Sequence, residues 1–138
     1  TTGLPIMLVS DYITVKQAAF LEKLSDDTEY IIIGGSSAVS QIVSKQIADI
    51  SQVTRIDGAD RYETSTMIAE YFYPNAEAVI LVNAWADAVA ASNIGEYPVI
   101  LLSNRTNESA RTYIKKHEIK KAFVLGDISD DILADIFN

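Results

Sequence analysis

The chain has 138 residues and a net charge of −8, an acidic balance that argues against general nucleic-acid binding, which leaves a basic footprint. Hydrophobic residues make up 49% and charged residues 22%, the proportions of a folded globular chain rather than a disordered one. There is no cysteine, which excludes disulfides, thiolate metal sites and cysteine nucleophiles, and no apolar run of about 18 residues that reads as a membrane span.

Taken in order, short apolar runs alternate with amphipathic stretches. Strands are expected at 4–9, 29–33, 53–56, 78–82, 98–102 and 121–125. Helices are expected at 15–25, 38–49, 61–73, 84–94, 107–117 and 129–137. Thr14 and Gln17 form a capping-box pattern ahead of the first helix. Val39, Ile42, Val43 and Ile47 recur three and four apart, as do Thr64, Met67, Ile68, Tyr71 and Phe72, so each set predicts one buried helical face. Pro74-Asn75 closes the second of these helices. The near-continuous apolar strands suit a parallel sheet covered on both sides. Strict βα alternation therefore predicts an α/β fold in three layers, a mainly parallel sheet with helices on both faces.

The sequence also repeats itself. Pro5-Ile6-Met7-Leu8-Val9-Ser10 resembles Pro98-Val99-Ile100-Leu101-Leu102-Ser103 at an offset of 93. At the same offset Thr14 falls on Asn107, and both read as helix caps. Ile31-Ile32-Ile33-Gly34 matches Phe123-Val124-Leu125-Gly126 at 92, and Val39-Ser40, Val43 and Ile47 match Ile128-Ser129, Ile132 and Ile136 at 89. Segment 52–93 has no partner. The pattern implies a module of about 90 residues, present once in full (52–138) and once as its second half (1–50), as in a piece of a longer array; Thr1-Thr2-Gly3-Leu4-Pro5 does not read as a signal peptide, so a secreted parent is expected to supply one elsewhere. A half-module is expected to expose surface meant for a neighbour, so self-association of this piece is expected too. The other reading is chance likeness between two βα units.

Several clusters have both a ligand reading and a structural one. Gly34-Gly35-Ser36-Ser37 follows an apolar strand, and its free N–H groups suit an anion; it also reads as an ordinary βα turn. Its counterpart, Gly126-Asp127, carries a carboxylate that suits a helix cap and discourages an anion. Arg55 and Arg61 flank a turn through Gly58 into a helix capped by Asp60, with Glu63 in its first turn. Arginine suits bidentate contact with phosphate or carboxylate, and equally a local ion pair with Asp57, Asp60 or Glu63. Asn83 and Asp87 follow an apolar strand, where ligands of parallel sheets bind; Asn83 also reads as a helix cap. Trp85 suits either stacking on a sugar or packing. His117, the only histidine, stands near a helix end among Lys115, Lys116, Lys120 and Lys121. No catalytic serine elbow, zinc spacing or calcium loop is present.

Arg55-Ile56-x-Gly58-x-Asp60-Arg61-Tyr62-x-Thr64 resembles the opening signature of the type 2 cell wall binding repeat family of Gram-positive bacteria. Asn83-Ala84-Trp85-Ala86-Asp87-Ala88-Val89-Ala90-Ala91 is similar to its middle motif. Pro98-Val99-Ile100-Leu101-Leu102 is similar to its Pro-Ile-Leu-Leu motif, and Ile32-Ile33-Gly34-Gly35-x-x-Ala38-Val39-Ser40 to its closing motif. The motifs stand in the family's order and cover essentially the whole chain. Two positions depart: Val9 replaces the last leucine of the first copy, and Asp127 the second glycine of the last motif.

The resemblance implies a toprim-like module used in threes, outside the cell, to attach surface-layer or wall proteins non-covalently to an anionic secondary wall polymer. It implies anchoring without catalysis by the module itself, with any enzymatic domain elsewhere in the parent; the residues themselves offer no cofactor motif and no metal-ligand spacing, so neither a cofactor nor a resident metal is expected. It associates Pro98, Val99, Ile100, Leu101 and Leu102 with anchoring, and more loosely Pro5, Ile6, Met7 and Leu8; a buried supporting strand is the physical expectation. The expected partners are an anionic wall polysaccharide or teichoic-acid-like polymer and neighbouring modules, without nucleic acid or membrane insertion. Arg55, Arg61, Asn83, Asp87, Ser103, Asn104, Arg105, Gly34 and Gly35 are the expected ligand contacts. An acidic chain meeting an acidic polymer needs local basic groups, helix N-termini or bridging cations. Two rival readings are a nucleotide- or small-ligand-binding α/β domain and a purely structural spacer, the latter requiring both arginines to be consumed internally.

Overall fold

A computed structural model describes residues 3–24 and 27–138. The described residues form α1 (Val15–Leu21), β1 (Tyr30–Ile33), α2 (Gln41–Ala48), β2 (Val53–Ile56), α3 (Arg61–Phe72), β3 (Ala78–Val82), α4 (Trp85–Ala91), β4 (Val99–Leu101), α5 (Glu108–Lys116), β5 (Lys121–Leu125) and α6 (Asp130–Phe137). All strand pairing is parallel, in a two-stranded sheet β1-β2 and a three-stranded sheet β4-β3-β5. The fold is α/β, as the alternation of periods predicts. Contacts divide the chain into two compact units, Pro5–Ala59 and Asp60–Asn138, with Gly3 and Leu4 counted in the second.

The second unit is built around β3, whose five residues Ala78, Val79, Ile80, Leu81 and Val82 are all buried. Side chains alternate across a strand, so β3 supplies two cores. Val79 and Leu81 join Ala69 of α3, Ala110, Tyr113 and Ile114 of α5, and Ile136 of α6. Ile80 and Val82 join Ala88 and Ala91 of α4, with Val99, Leu101, Phe123 and Leu125 from the flanking strands. Helices therefore cover both faces, and three layers result. Pro98, Ile100 and Leu102 are buried, which draws β4 against β3 in register Ile80 to Val99 and Val82 to Leu101. On α3 the apolar spacing misidentifies the buried face. Met67 and Tyr71 are exposed, while Thr66 and Ala69 are buried, because small residues let the helix approach β4 and α5.

In the first unit Ile13, Leu21, Ile32, Val43 and Ile47 form the core. Thr14 caps α1 through the expected capping box with Gln17, whose amide also donates to the Leu8 carbonyl. Ser40 caps α2 and donates to the Asp11 carbonyl at 2.7 Å. One expected strand does not form: residues 4–9 carry no strand pairing, and Ile6 and Leu8 are 88% and 86% exposed. The corresponding run in the second unit is a strand because β3 lies beside it; here nothing in the described chain plays that part. Ile42 of α2 is likewise exposed.

The compact units and the sequence repeat divide the chain at different places. Self-similarity changes over at 50–52, whereas compactness changes over after Ala59. The difference is β2, which pairs with β1 from Tyr30–Val53 to Ile33–Ile56.

Candidate functional site

The carboxyl ends of β3, β4 and β5 open together on one edge of the three-stranded sheet, since the strands are parallel and in register. β3 leads into Asn83. Its side-chain amide donates to the Asp127 carbonyl at 2.6 Å, tying the turn after β3 to the turn after β5. Asn83 is therefore not the cap of α4; that position is Ala84, which makes no side-chain cap bond. Asp87, in the first turn of α4, points at the same place. A Cβ added to Gly126 would lie 2.5 Å from Asp87 Oδ2 and 2.7 Å from Asn83 Oδ1. Gly126 also has φ +93°, a conformation open to glycine. Asp127 does not cap α6; Ser129 does.

The turn after β4 is closed by its own polar groups. Ser103 N–H donates to Asn107 Oδ1 at 2.7 Å, and Asn107 Nδ2 donates back to the Ser103 carbonyl at 3.1 Å. Ser103 Oγ donates to the Thr106 carbonyl and accepts from the Arg105 N–H. Asn107 is 3% exposed, and this network explains why a polar side chain is buried there. It stands at the cap position of α5 without making a cap bond. Asn104 and Arg105 are exposed on this turn. At the head of the same unit Asp60 caps α3, accepting from the Tyr62 and Glu63 N–H groups, while Arg61 is exposed with its guanidinium 5.4 Å from the Tyr62 ring centroid. Trp85 is 68% exposed, so it is not part of the core of its own unit.

Gly34, Gly35 and Arg55 belong to the first unit. Arg55 Nη1 donates to the Gly34 carbonyl at 2.5 Å. Its Nη2 is buried and has no hydrogen-bond partner among the described residues. Arg55 therefore holds the end of β1 rather than one of the nearby carboxylates, and it faces inward. Gly34 has φ +107° and lies against Ala38; a Cβ on Gly35 would meet only Asp57 Oδ2, at 3.5 Å. The structure thus brings Asn83 and Asp87 together and puts Ser103, Asn104 and Arg105 on the neighbouring strand's turn. The glycine pair and Arg55 stand at the end of a different sheet. By sequence Asn107 reads as a plain helix cap, and only its place opposite Thr14 in the repeat marks it; in the fold it is the residue that closes the Ser103 turn.

His117 ends α5 against α3. Its Nε2 lies 2.8 Å from Glu70 Oε2, Lys116 pairs with Glu70 Oε1, and its ring lies 4.4 Å from that of Tyr113. Burial, and then Glu70, push the Tyr113 hydroxyl up to about 12, so it stays a donor, to the Tyr73 carbonyl at 3.2 Å. This is a packing seam, away from the strand ends. No group of three or more metal-ligating side chains occurs among the described residues, and no described helix is long and apolar enough to cross a membrane.

The profile of the cell wall binding domain 2 (CWB2) family matches residues 55–132, from Arg55 through the whole β3-β4-β5 sheet. The chain belongs to this family. An uncharacterized protein of Pyrococcus abyssi is 38% identical over 135 aligned residues, covering 89% of this chain and 40% of that protein. The N-acetylmuramoyl-L-alanine amidase LytC of Bacillus subtilis is 36% identical over 104 residues, 70% of this chain and 21% of the enzyme. Among solved structures, Cwp6 from Clostridium difficile superposes with a TM-score of 0.76 at 28% identity, over 91% of this chain and 22% of Cwp6. Cwp8 from the same organism gives 0.69 at 27% identity, over 80% of this chain and 20% of Cwp8. The chain thus spans between a fifth and two fifths of the relatives it matches. This CWB2 chain carries a cell wall binding role and a place at the cell surface or wall.

Proposed function

We propose that this CWB2 chain is a non-catalytic anchor that holds its parent protein non-covalently to an anionic secondary polymer of the Gram-positive wall. The observation that carries the reading is the turn after β4. Asn107 and Ser103 lock its backbone while leaving Arg105 exposed and without an ion pair among the described residues. A fixed loop presenting a guanidinium suits a phosphate or carboxylate on a polymer. Asp87 and Asn83, on the adjacent turn, suit sugar hydroxyls rather than anionic groups. Arg61 adds a second exposed cation in the same unit. Arg55 takes a supporting part, because its guanidinium is turned onto Gly34. A spacer that bound only its own kind would need both arginines consumed internally; Arg61 is exposed. One module binds weakly, and several in one chain gain by effective concentration.

The test is co-sedimentation with purified wall sacculi, before and after acid stripping of the secondary polymer, over a salt series. The chain and a three-module array are compared with their Arg105→Glu and Arg61→Glu variants. Anchoring predicts retention that is lost on stripping, falls with salt, and drops several-fold in the variants without change in Tm. If the unaltered array is not retained, the reading fails.

A further inference from the structure

The outer edge of β5 carries no paired strand among the described residues. In a parallel strand the N–H and C=O of one residue point to the same side and those of the next residue to the other. On β3 the even residues face β4, because Ile80 N–H donates to the Pro98 carbonyl and Val82 O accepts from Leu102. Its odd residues therefore face β5. With Val79 opposite Ala122 and Leu81 opposite Val124, the β5 residues bonded to β3 are Lys121, Phe123 and Leu125. Ala122, Val124 and Gly126 point outward from the sheet's edge, and no strand pairs with them among the described residues.

The first unit shows what fits such an edge. Offset by 92, Tyr30, Ile32 and Gly34 of the β1 edge correspond to Ala122, Val124 and Gly126. Tyr30 N–H donates to the Gln52 carbonyl and Gly34 N–H to the Ile56 carbonyl, so this is the side that holds β2. Arg55 of β2 then reaches the Gly34 carbonyl. The family profile begins at Arg55, yet Arg55 and Ile56 are built into the sheet before it. The β5 edge offers an arginine more than the β1 edge does. Beside Gly126 stand the carboxylate of Asp87 and, one residue on, Asp127.

We propose that β5 takes, in parallel, a strand of the β2 pattern Val-x-Arg-Ile from the next repeat of the parent protein. Each repeat's opening strand thereby completes the sheet of the repeat before it. The incoming arginine would reach the Gly126 carbonyl with Asp87 as its counter-charge. Repeats are then tied by a shared sheet and not merely by surface contact, which also hides a strand edge otherwise open to aggregation. This holds whatever the array binds.

The geometry sets its own test. α2 is followed by Asp49, Ile50, Ser51 and Gln52 before β2; at the offset of 89, Asn138 corresponds to Asp49. Appending a copy of residues 50–60 directly after Asn138 reproduces the connector. Hydrogen exchange at Ala122, Val124 and Gly126 is read for the native chain, for this extension, for a scrambled extension, and for one whose copied segment carries Ile56→Pro. Proline there removes an N–H that β2 directs at β1. The expected result is at least tenfold slower exchange at Val124 and Gly126 and a higher Tm with the true extension alone. Equal exchange in the true and scrambled chains overturns the proposal, and so does protection that survives the proline. Concentration-dependent protection of these amides in the unextended chain would make a second copy the occupant and overturn the assignment to the next repeat.

Discussion

Asn83 Nδ2 donates to the Asp127 carbonyl at 2.6 Å, and this single bond joins the turns that leave β3 and β5. It is long-range in sequence, and its donor is half-buried. Asn83→Ala is expected to cost about 1 kcal/mol, the usual net worth of such a bond. Asn83→Asp is expected to cost more, on the order of 2 kcal/mol, because an acceptor would then face an acceptor beside Asp87. Urea denaturation of the two variants checks the order; equal midpoints would mean that the tie does not hold the turn.

Gly126 and Gly35, which the offset of 92 sets one position apart in the two turns, should respond differently. At Gly126 a Cβ would fall 2.5 Å from Asp87 Oδ2 at φ +93°, so Gly126→Ala is expected to destabilise by more than about 1 kcal/mol. At Gly35 a Cβ would make an ordinary contact of 3.5 Å with Asp57, so Gly35→Ala is expected to be within about 0.5 kcal/mol of the native chain. Paired thermal melts decide this. If Gly35→Ala keeps its stability but loses sacculus binding, the Gly34-Gly35 turn contacts ligand. If it keeps both, that turn is architecture.

Glu70 makes the seam between α3 and α5 sensitive to acid. Its carboxyl is held below the ordinary 4.5, first by the hydrogen bond from His117 and then by that from Lys116, with burial opposing. A carboxyl with a lowered folded-state value contributes fully at pH above the ordinary value. That contribution is lost as pH falls through 4.5 and on through the folded-state value. The Glu70 side chain is 40% exposed, so the effect is small, within about 1 kcal/mol. From pH 6 down to pH 3, the Tm advantage of the native chain over Glu70→Gln should shrink; an advantage constant with pH would show that charge on Glu70 contributes nothing.

Much of this was legible in one dimension. Periodicity located every helix and all but one strand, because the repeat of apolar residues differs between the two, although on α3 it named the wrong face. The caps at Thr14 and Asp60 were written in local chemistry. The site was legible only in part. Asn83, Asp87, Ser103 and Arg105 follow strands whose parallel pairing brings their ends to one edge, so their type and order sufficed to nominate them. What each does was not readable: Asn83 bonds across 44 residues to Asp127, and Arg55 turns onto Gly34 instead of a nearby acid.

The two copies of the Pro-Ile-Leu-Leu pattern separate what the chain's own order determines from what its context adds. Pro98–Leu102 and Pro5–Val9 have the same apolar character and, by sequence alone, the same strand propensity, repeat position and family motif. The sequence by itself determined α/β alternation and family membership, since these depend on local spacing and motif order. Tertiary structure decided that the first run becomes buried β4, with β3 to accept its hydrogen bonds, while the second stays an exposed segment with Ile6 and Leu8 in solvent. A strand does not satisfy its own backbone as a helix does, so its existence rests on a neighbour encoded elsewhere in the chain.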